Sequence, residues 1–367
     1  MRLSLSDDQR ELQSTVRRFL EAKAGTGQPA PGGQYDDKVW QQLAGQLGLA
    51  SLIVPERHGG SGFSAIELSV VLEELGRALT GSPLFATAAL AAQTILASGD
   101  EPAMQAYLPA IAAGAATGTV ALYEAGRSWN ATELAVLAET TADGWLLTGT
   151  KSHVIDGQVA DLIIVSASTA AGVGLFLVDS GAPGLRRVPV ATLDPTRQQA
   201  SLMLERTPAR LLGADGGGRE IISRVLDLAA VALAAEQVGG AQRCLEMSVD
   251  YAKLRVQFGR PIGSFQAIKH KCADMLIAVE SARSLAYYAA GCAADDPAEL
   301  PAAASLAKAY CSEAYFRVAA DNIQIHGGIG FTWEHPAHLH YRRAKSSELL
   351  FGGPAEHRDQ LSRRLAL

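Results

Sequence analysis

Apolar residues recur with a helical period at the start of the chain. Ser6 and Gln9 form a capping-box pattern, in which each side chain can bond the backbone of the other. Leu12, Val16 and Leu20 then follow at intervals of four residues, which places them on one helical face. The pattern predicts a first amphipathic helix.

The same capping pattern returns at Ser64 and Glu67, ahead of a run whose apolar residues would share one face. The Ala- and Leu-rich stretch after Pro83 is also typical of a helix. We therefore predict an N-terminal helical domain over residues 1–117.

From about Thr119 the apolar pattern changes to short β-favouring runs. Clusters of Gly, Asp, Pro or Ser separate these runs, which are TVALY, WLLTG, DLIIVSA, GLFLV and SLMLE. Their number and spacing predict a compact central β-barrel or sandwich over residues 118–212.

Helical patterns resume after the glycine-rich segment GADGGG, which we interpret as a linker. Three runs are each long enough for one helix of a bundle, near 219–254, 264–293 and 299–326. Shorter helical runs flank the Gly-Gly-Pro at 352–354. The predicted fold class is α+β multidomain, ending in a C-terminal four-helix bundle over 213–367. A Rossmann fold is disfavoured because βαβ alternation is missing.

Composition narrows the class of protein. The 367 residues exceed one ordinary core and suggest two or three structural units. The net charge of −6 arises from 32 basic residues scattered among 38 acidic ones. This balance gives no electrostatic reason to expect a nucleic-acid partner.

The cysteines and the N-terminus bear on location and metal binding. All four cysteines fall in helical patterns, without a CxxC pair or a recognisable Cys/His ligand set, so we expect neither a metal site nor disulfides. The N-terminus lacks an apolar core of signal-peptide type, and no run approaches the ~20 apolar residues of a membrane span. We expect a cytoplasmic protein.

Two motifs in the third segment suit a dinucleotide. Arg255 is a planar cation able to clamp a pyrophosphate, and Phe258 with Gly259 is expected to end the helix beside it with an aromatic face and a sharp turn. Gln266 supplies both donors and acceptors, while Gly327 and Gly328 allow backbone to approach a cofactor closely. Each residue alone would more often be a solvated charge or a plain helix end. Together they indicate cofactor binding.

The stretches LRVQFGRPIGSFQAIKHKCADM (254–275) and DNIQIHGGIGFTWEH (321–335), with the helix, β, helix order, resemble the acyl-CoA dehydrogenase family of flavoproteins. The resemblance covers nearly the whole length, including GGSGFSAIELSVVLEELGRAL (59–79) and LDPTR (193–197). It implies that FAD lies across a dimer interface. The flavin ring then rests against the β-domain of one subunit, while the other subunit, which we call the gripping half of the site, binds the pyrophosphate and adenosine. The residues that match the gripping half are Arg255, Phe258, Gln266, Gln324, Gly327 and Gly328. His326 and His335 are expected to be structural, or to support the residues that contact FAD, rather than to be catalytic.

The resemblance also implies a carboxylate that removes the substrate's α-proton while hydride leaves the β-carbon for the flavin. Aligned through Ala344 and Lys345, its usual position in the family falls on Phe351. The less common position, on the first helix of the C-terminal segment, falls on Ala229, next to Ala230. Neither position carries an acid.

The flavin-facing half of the family pattern departs as well. A Glu-Pro-Gly-x-Gly-Ser-Asp loop is replaced by YEAGRSWNATE (123–133). The Trp-Ile-Thr that lines the flavin is matched by His153, Val154 and Ile155, and Ile155 has no hydroxyl for the flavin N5. The gripping half is therefore kept, whereas the flavin-facing half and the base are lost.

Three hypotheses account for this asymmetry. In the first, the chain is the FAD-gripping, base-lacking subunit of a hetero-oligomeric acyl-CoA dehydrogenase, as occurs among actinobacterial members that act on bulky lipid or steroid thioesters. Alternatively, it is a self-sufficient enzyme with a relocated carboxylate. The candidates for this carboxylate are Glu236 and Glu348. Glu236 lies seven residues after Ala229, roughly 10 Å along the helix, and Glu348 lies three residues before Phe351. Finally, it binds acyl-CoA or flavin without dehydrogenase activity.

The resemblance also implies partners. These are an acyl-CoA substrate, a second dehydrogenase-like subunit or a second copy in a dimer or tetramer, and electron transfer flavoprotein as acceptor. The acyl group stays open. The small side chains of DLAAVALAAEQVGG (227–240) suit either a wide acyl pocket or close helix packing.

Overall fold

The structure is a computed structural model of the chain, and it describes residues 4–23, 35–129, 133–142 and 144–366. Part of the YEAGRSWNATE segment, residues 130–132, lies outside the described residues.

The α-helices, in chain order, are α1 (Asp7–Lys23), α2 (Asp37–Gln41), α3 (Ala65–Ala78), α4 (Gln93–Ser98), α5 (Glu101–Ala112), α6 (Gly218–Leu254), α7 (Gln266–Asp295), α8 (Leu300–His326), α9 (Ala337–Leu349) and α10 (Pro354–Arg364). The strands are β1 (Gly118–Ala121), β2 (Leu137–Thr141), β3 (Gly144–Ile155), β4 (Leu162–Thr169), β5 (Gly172–Asp179), β6 (Leu185–Pro189), β7 (Gln199–Leu212), β8 (Val256–Gln257) and β9 (Arg260–Pro261). The helix, β, helix order predicted from the hydrophobic pattern is confirmed.

The chain forms two compact units. The first contains Met1–Gln28, Ala65–Thr80 and Ala230–Leu367, and the second contains Pro29–Ser64 and Gly81–Ala229. Each of these units combines segments that are distant in sequence. The predicted domains at 1–117, 118–212 and 213–367 are instead consecutive segments of the chain. The linear boundaries stay predictions.

The first helix begins with the predicted capping box. The backbone N–H of Ser6 donates to Gln9 Oε1 at 2.8 Å, and the N–H of Gln9 donates to Ser6 Oγ at 3.2 Å. Two free donors at the start of α1 thus gain partners. Val16 and Leu20 are buried, as their spacing predicts.

The central sheet of the second unit closes on itself. Around the ring, β4 pairs with β5, β5 with β7, β7 with β3, β3 with β2, and β2 with β4. Strand β1 adds to β4 and β6 to β7. Inward-facing apolar residues fill the interior, including Leu147, Val165, Phe176 and Leu202. The predicted central β-barrel is confirmed.

In the first unit, α3 packs against α6 backbone to backbone. A Cβ on Gly239 would overlap the carbonyl oxygen of Glu73, and one on Gly76 would overlap that of Glu236. Gly240 similarly leaves room for the Tyr315 ring. The small residues at this end of DLAAVALAAEQVGG therefore serve close packing, the second of the two explanations that the sequence left open.

Two searches of the described ranges gave negative results. No helix within them is long and apolar enough to cross a membrane. Nor do they contain a group of three or more His, Cys, Asp or Glu residues placed to hold a metal ion.

Candidate functional site

A short hairpin follows α6 and carries the first predicted motif. Strands β8 and β9 are joined by a two-residue turn at Phe258 and Gly259, both with positive φ, of 53° and 76°. Such left-handed pairs match the twist of a tight hairpin. Phe258 was predicted to end the helix, but α6 ends earlier, at Leu254, and Phe258 lies at the hairpin tip with 92% of its surface exposed.

The hairpin is fixed to the end of α6. The Arg255 N–H donates to the Tyr251 carbonyl at 2.8 Å, and the Arg255 carbonyl accepts from the N–H of Ile262 at 2.8 Å. The Arg260 guanidinium lies 4.2 Å from the centre of the Phe265 ring. The Arg255 side chain itself is exposed to solvent, so its backbone is anchored while its guanidinium remains accessible.

The second predicted motif lies at the end of α8. Gly327 follows the last helical residue with φ 64° and ψ −140°, a conformation that suits glycine alone. A Cβ at Gly327 or Gly328 would meet nothing within 4 Å, and both glycines are exposed. Gly330 differs, because a Cβ there would lie 3.1 Å from the Ile323 carbonyl oxygen. The backbone at 327–328 is therefore accessible to a ligand, whereas Gly330 is needed for close packing.

Side-chain contacts bring the two motifs to the same end of the first unit. Tyr251, near the end of α6, stacks on His326 at the end of α8, with ring centres 4.3 Å apart. At the start of α7, Lys271 pairs with Asp321 of α8. Gln266, in the first turn of α7, and Gln324, in the last turn of α8, are both exposed.

His326 and His335 form the interior of this end. Their rings lie 4.3 Å apart, and His326 Nδ1 lies 2.8 Å from the Asn322 carbonyl oxygen, so Nδ1–H donates. Burial lowers the pKa of both rings, that of His335 to about 4. These two neutral rings, tilted at 41° to each other, support packing.

The two positions that the resemblance predicts for the family's base are buried and carry no acid. Ala229 is fully buried on α6. Phe351 is 6% exposed and has φ 60°, in the turn between α9 and α10. Its carbonyl oxygen lies 3.0 Å from His357 Nε2.

The two alternative carboxylates are engaged in ion pairs. Glu236 is buried, and its Oε1 accepts from Arg343 Nη1 at 2.6 Å. Removing one partner of a buried pair is strongly destabilising, which favours a structural role for Glu236. Glu348 Oε1 lies 2.8 Å from Lys345 Nζ on the same helix.

In the second unit, the predicted flavin-facing segment lies at a β-bulge of β3. His153 has φ 53° and is exposed, and its Nδ1 lies 2.8 Å from Gln199 Oε1. Ile155 is buried. The Tyr123 ring lies 4.8 Å from that of Trp129 and 5.7 Å from that of His153. Aromatic side chains therefore pack against one another here.

A buried ion pair beside this bulge was missed at the sequence level. Lys151 Nζ donates to Glu124 Oε1 at 2.8 Å and to Ser166 Oγ at 2.9 Å. Burial lowers the Lys151 pKa to about 8, although Glu124 opposes this. Glu124 also accepts the N–H groups of Ala135 and Val136, which fixes the backbone of these two residues. The only signal was one lysine inside an otherwise β-favouring run.

Models of the acyl-CoA dehydrogenase N-terminal domain and C-terminal domain match residues 6–115 and 216–366. The chain belongs to the acyl-CoA dehydrogenase family. Family membership implies a flavin cofactor, and the predicted resemblance is confirmed.

Individual members of the family are similar over nearly the full length. Acyl-CoA dehydrogenase IpdE2 of Mycobacterium tuberculosis is 37% identical over 95% of both chains. The structure of the ChsE4-ChsE5 complex from Mycobacterium tuberculosis matches with a TM-score of 0.89 and 31% identity, over 100% of this chain and 99% of the other. A Tcur3481-Tcur3483 steroid ACAD matches with a TM-score of 0.89 and 34% identity, over 99% of both.

The two parts of an acyl-CoA dehydrogenase flavin site fit unequally here. Exposed Arg255 and the open backbone at Gly327 and Gly328 suit a phosphate-bearing dinucleotide. His153 and Ile155 do not supply the Trp and the hydroxyl expected around a flavin ring.

Proposed function

We propose that this chain takes part in the α,β-dehydrogenation of an acyl-CoA thioester as the FAD-gripping, base-lacking subunit of a hetero-oligomer. The proposal rests on a contrast between the predicted cofactor-binding residues and the predicted positions of the base. Arg255, Gln266 and Gly328 are exposed at one end of the first unit, whereas Ala229 and Phe351 are buried and carry no acid.

The gripping residues have distinct tasks in this proposal. Arg255 would clamp the pyrophosphate through paired N–H donors, and Phe258 would pack against the dinucleotide. Gln266 and Gln324 would orient its polar groups, and the backbone at Gly327 would approach it closely. FAD, when bound, supplies the hydride acceptor of the reaction.

Large exposed apolar side chains support a partner chain at the same end. They include Leu254 (80% exposed), Phe258, Phe331 (77%) and Trp333 (68%). Exposed apolar groups gathered near one another mark interaction surfaces more often than free surface. We assign to the partner both the base and the flavin-facing loops that this chain lacks, in a dimer or tetramer.

The known complexes suit this assignment. ChsE4-ChsE5 and Tcur3481-Tcur3483 are named as pairs, and the second is named as a steroid enzyme. By analogy with the second, we propose a lipid or steroid acyl-CoA substrate. We also propose electron transfer flavoprotein as acceptor, as the family resemblance implies, and a cytoplasmic location.

Purification of the native assembly tests the proposal. The chain expressed alone should be poor in flavin, while co-expression with a dehydrogenase-like partner should give about one FAD per heterodimer by absorption and protein quantification. The assembly should form a 2-enoyl-CoA. A yellow homo-oligomer that oxidises acyl-CoA unaided would support the self-sufficient enzyme instead, and an assembly without turnover would support a binding protein.

A further inference from the structure

A buried amine lies behind the turn that carries Phe351. Lys308 of α8 has no exposed surface. Its Nζ donates to Ser312 Oγ at 3.0 Å, to the Glu348 carbonyl oxygen at 3.0 Å and to the Gly352 carbonyl oxygen at 3.1 Å. An ammonium group has three N–H donors, so each donor has one neutral oxygen acceptor.

The turn over residues 349–353 needs such support. Phe351 has φ 60° and Gly352 has φ 102°. A left-handed conformation costs a residue with a Cβ about 1–2 kcal/mol, so Phe351 adopts it only where its surroundings hold it. The carbonyls of Glu348, Phe351 and Gly352 are bound by two buried side chains, Lys308 and His357.

We propose that Lys308 is the positioning residue of this turn and fixes the main chain at residue 351, the family's usual position for the base. The conformation at 351 is then set from α8, independently of the side chain that 351 carries. This inference concerns the turn alone and does not depend on the subunit role proposed above.

The charge on Lys308 controls how many acceptors it can hold. Burial lowers the pKa of Lys308 to about 7, opposed by Glu348 on α9, Cys311 on α8 and Glu356 on α10. His357 of α10 is neutral at that pH, because burial and the Lys308 charge lower its own pKa to about 4.

Deprotonation leaves Lys308 with two N–H donors and a lone pair. One of its three acceptors must then be released, or the Ser312 hydroxyl must reverse and donate to Nζ. Ser312 can reverse because its hydroxyl gives up only a long bond to Gln237 Oε1 of α6, at 3.4 Å, while Gln237 Nε2 still donates to the hydroxyl oxygen at 3.0 Å. The ammonium form gives both turn carbonyls charge-assisted hydrogen bonds, which the neutral amine cannot, so the turn is held most firmly below pH 7 and its environment changes as the pH rises through about 7.

Fluorine NMR of the full chain, labelled with 4-fluorophenylalanine, tests the proposal. The Phe351 signal is assigned by its absence in Phe351→Leu. In the native chain it should shift with a midpoint near pH 7. Lys308→Gln keeps N–H donors but does not titrate, so its signal should stay near the native position without a midpoint. Lys308→Met should move the signal toward that of solvent-exposed fluorophenylalanine.

Lys345→Met is the matched control, since Lys345 pairs with the Glu348 side chain but is partly exposed, and it should retain the native midpoint. The proposal is overturned if Lys308→Met keeps the native signal, or if Lys308→Gln retains the midpoint. Should Lys308→Met fail to fold, the Lys308→Gln result alone decides. Because no flavin is counted, the outcome is separate from the test of the subunit role.

Discussion

At the scale of single residues, the clearest gap between sequence and structure is the buried lysines. Lys151 and Lys308 have no exposed surface, yet each lies in a run where a lone lysine would ordinarily point to solvent. Burial is decided by elements distant in sequence, so no local pattern could reveal it. Arg255 and Gly327, by contrast, could be singled out because their chemistry depends on residue type and spacing.

Lys308 should give the protein a distinctive pH dependence of stability. Its pKa is about 7 in the folded chain and about 10.4 when unfolded. Between these values the unfolded chain binds more protons, so stability rises with pH. The free energy of unfolding of the native chain, relative to Lys308→Met, should increase by up to about 1.4 kcal/mol per pH unit from pH 7 to 9. Parallel pH profiles for the two chains would contradict this.

Arg255 should matter for its shape as well as its charge. Arg255→Lys keeps the charge but loses the paired N–H donors, so flavin affinity in the assembly should fall about tenfold or more. Equilibrium dialysis or flavin fluorescence measures the loss. Arg206→Ala, at an exposed arginine paired with Glu139 in the second unit, should leave affinity unchanged. Equal affinities for native and Arg255→Lys assemblies would remove Arg255 from the cofactor site.

At the scale of elements, helices were easier to predict than strands. The three long helical runs differ from α6, α7 and α8 by two residues or fewer at each end, because their apolar periods extend over many turns. Strands β2 and β6 were missed because most of their residues are only partly buried or exposed and show no alternating apolar pattern. The hairpin at Phe258 was missed because a two-residue strand has no period.

The contact between α3 and α6 depends on the absence of side chains. In Gly239→Ala, helix propensity favours alanine by about 1 kcal/mol, but the new Cβ overlaps the Glu73 carbonyl oxygen. Overpacking against backbone costs about 1–3 kcal/mol or more, so the variant should be less stable. Thermal unfolding should show a lower Tm. Gly181→Ala, where a Cβ meets nothing within 4 Å, is the control, and an unchanged Tm in Gly239→Ala would refute the packing argument.

At the scale of the whole molecule, the chain keeps the family's fold but differs from the family at predicted functional positions. The described fold is that of an acyl-CoA dehydrogenase throughout, so the architecture is kept although Ala229, Ile155 and Phe351 stand where the resemblance predicts functional side chains. This combination could be predicted from the sequence, because the differences from the family are single side chains and leave the helices and strands unchanged. The subunit role proposed above accounts for this combination, because a second chain would supply the missing groups.

Restoring one carboxylate should not restore the reaction. Phe351→Glu places an acid in a turn whose main chain Lys308 fixes, but His153 and Ile155 remain unsuited to a flavin ring. We expect the isolated variant to stay inactive, and its assembly to keep about one FAD per heterodimer and the native rate of 2-enoyl-CoA formation. Phe351→Leu controls for loss of the ring. A second flavin, or turnover by the isolated Phe351→Glu chain, would show that only the base had been lost, and that this chain once served as a complete half of the enzyme.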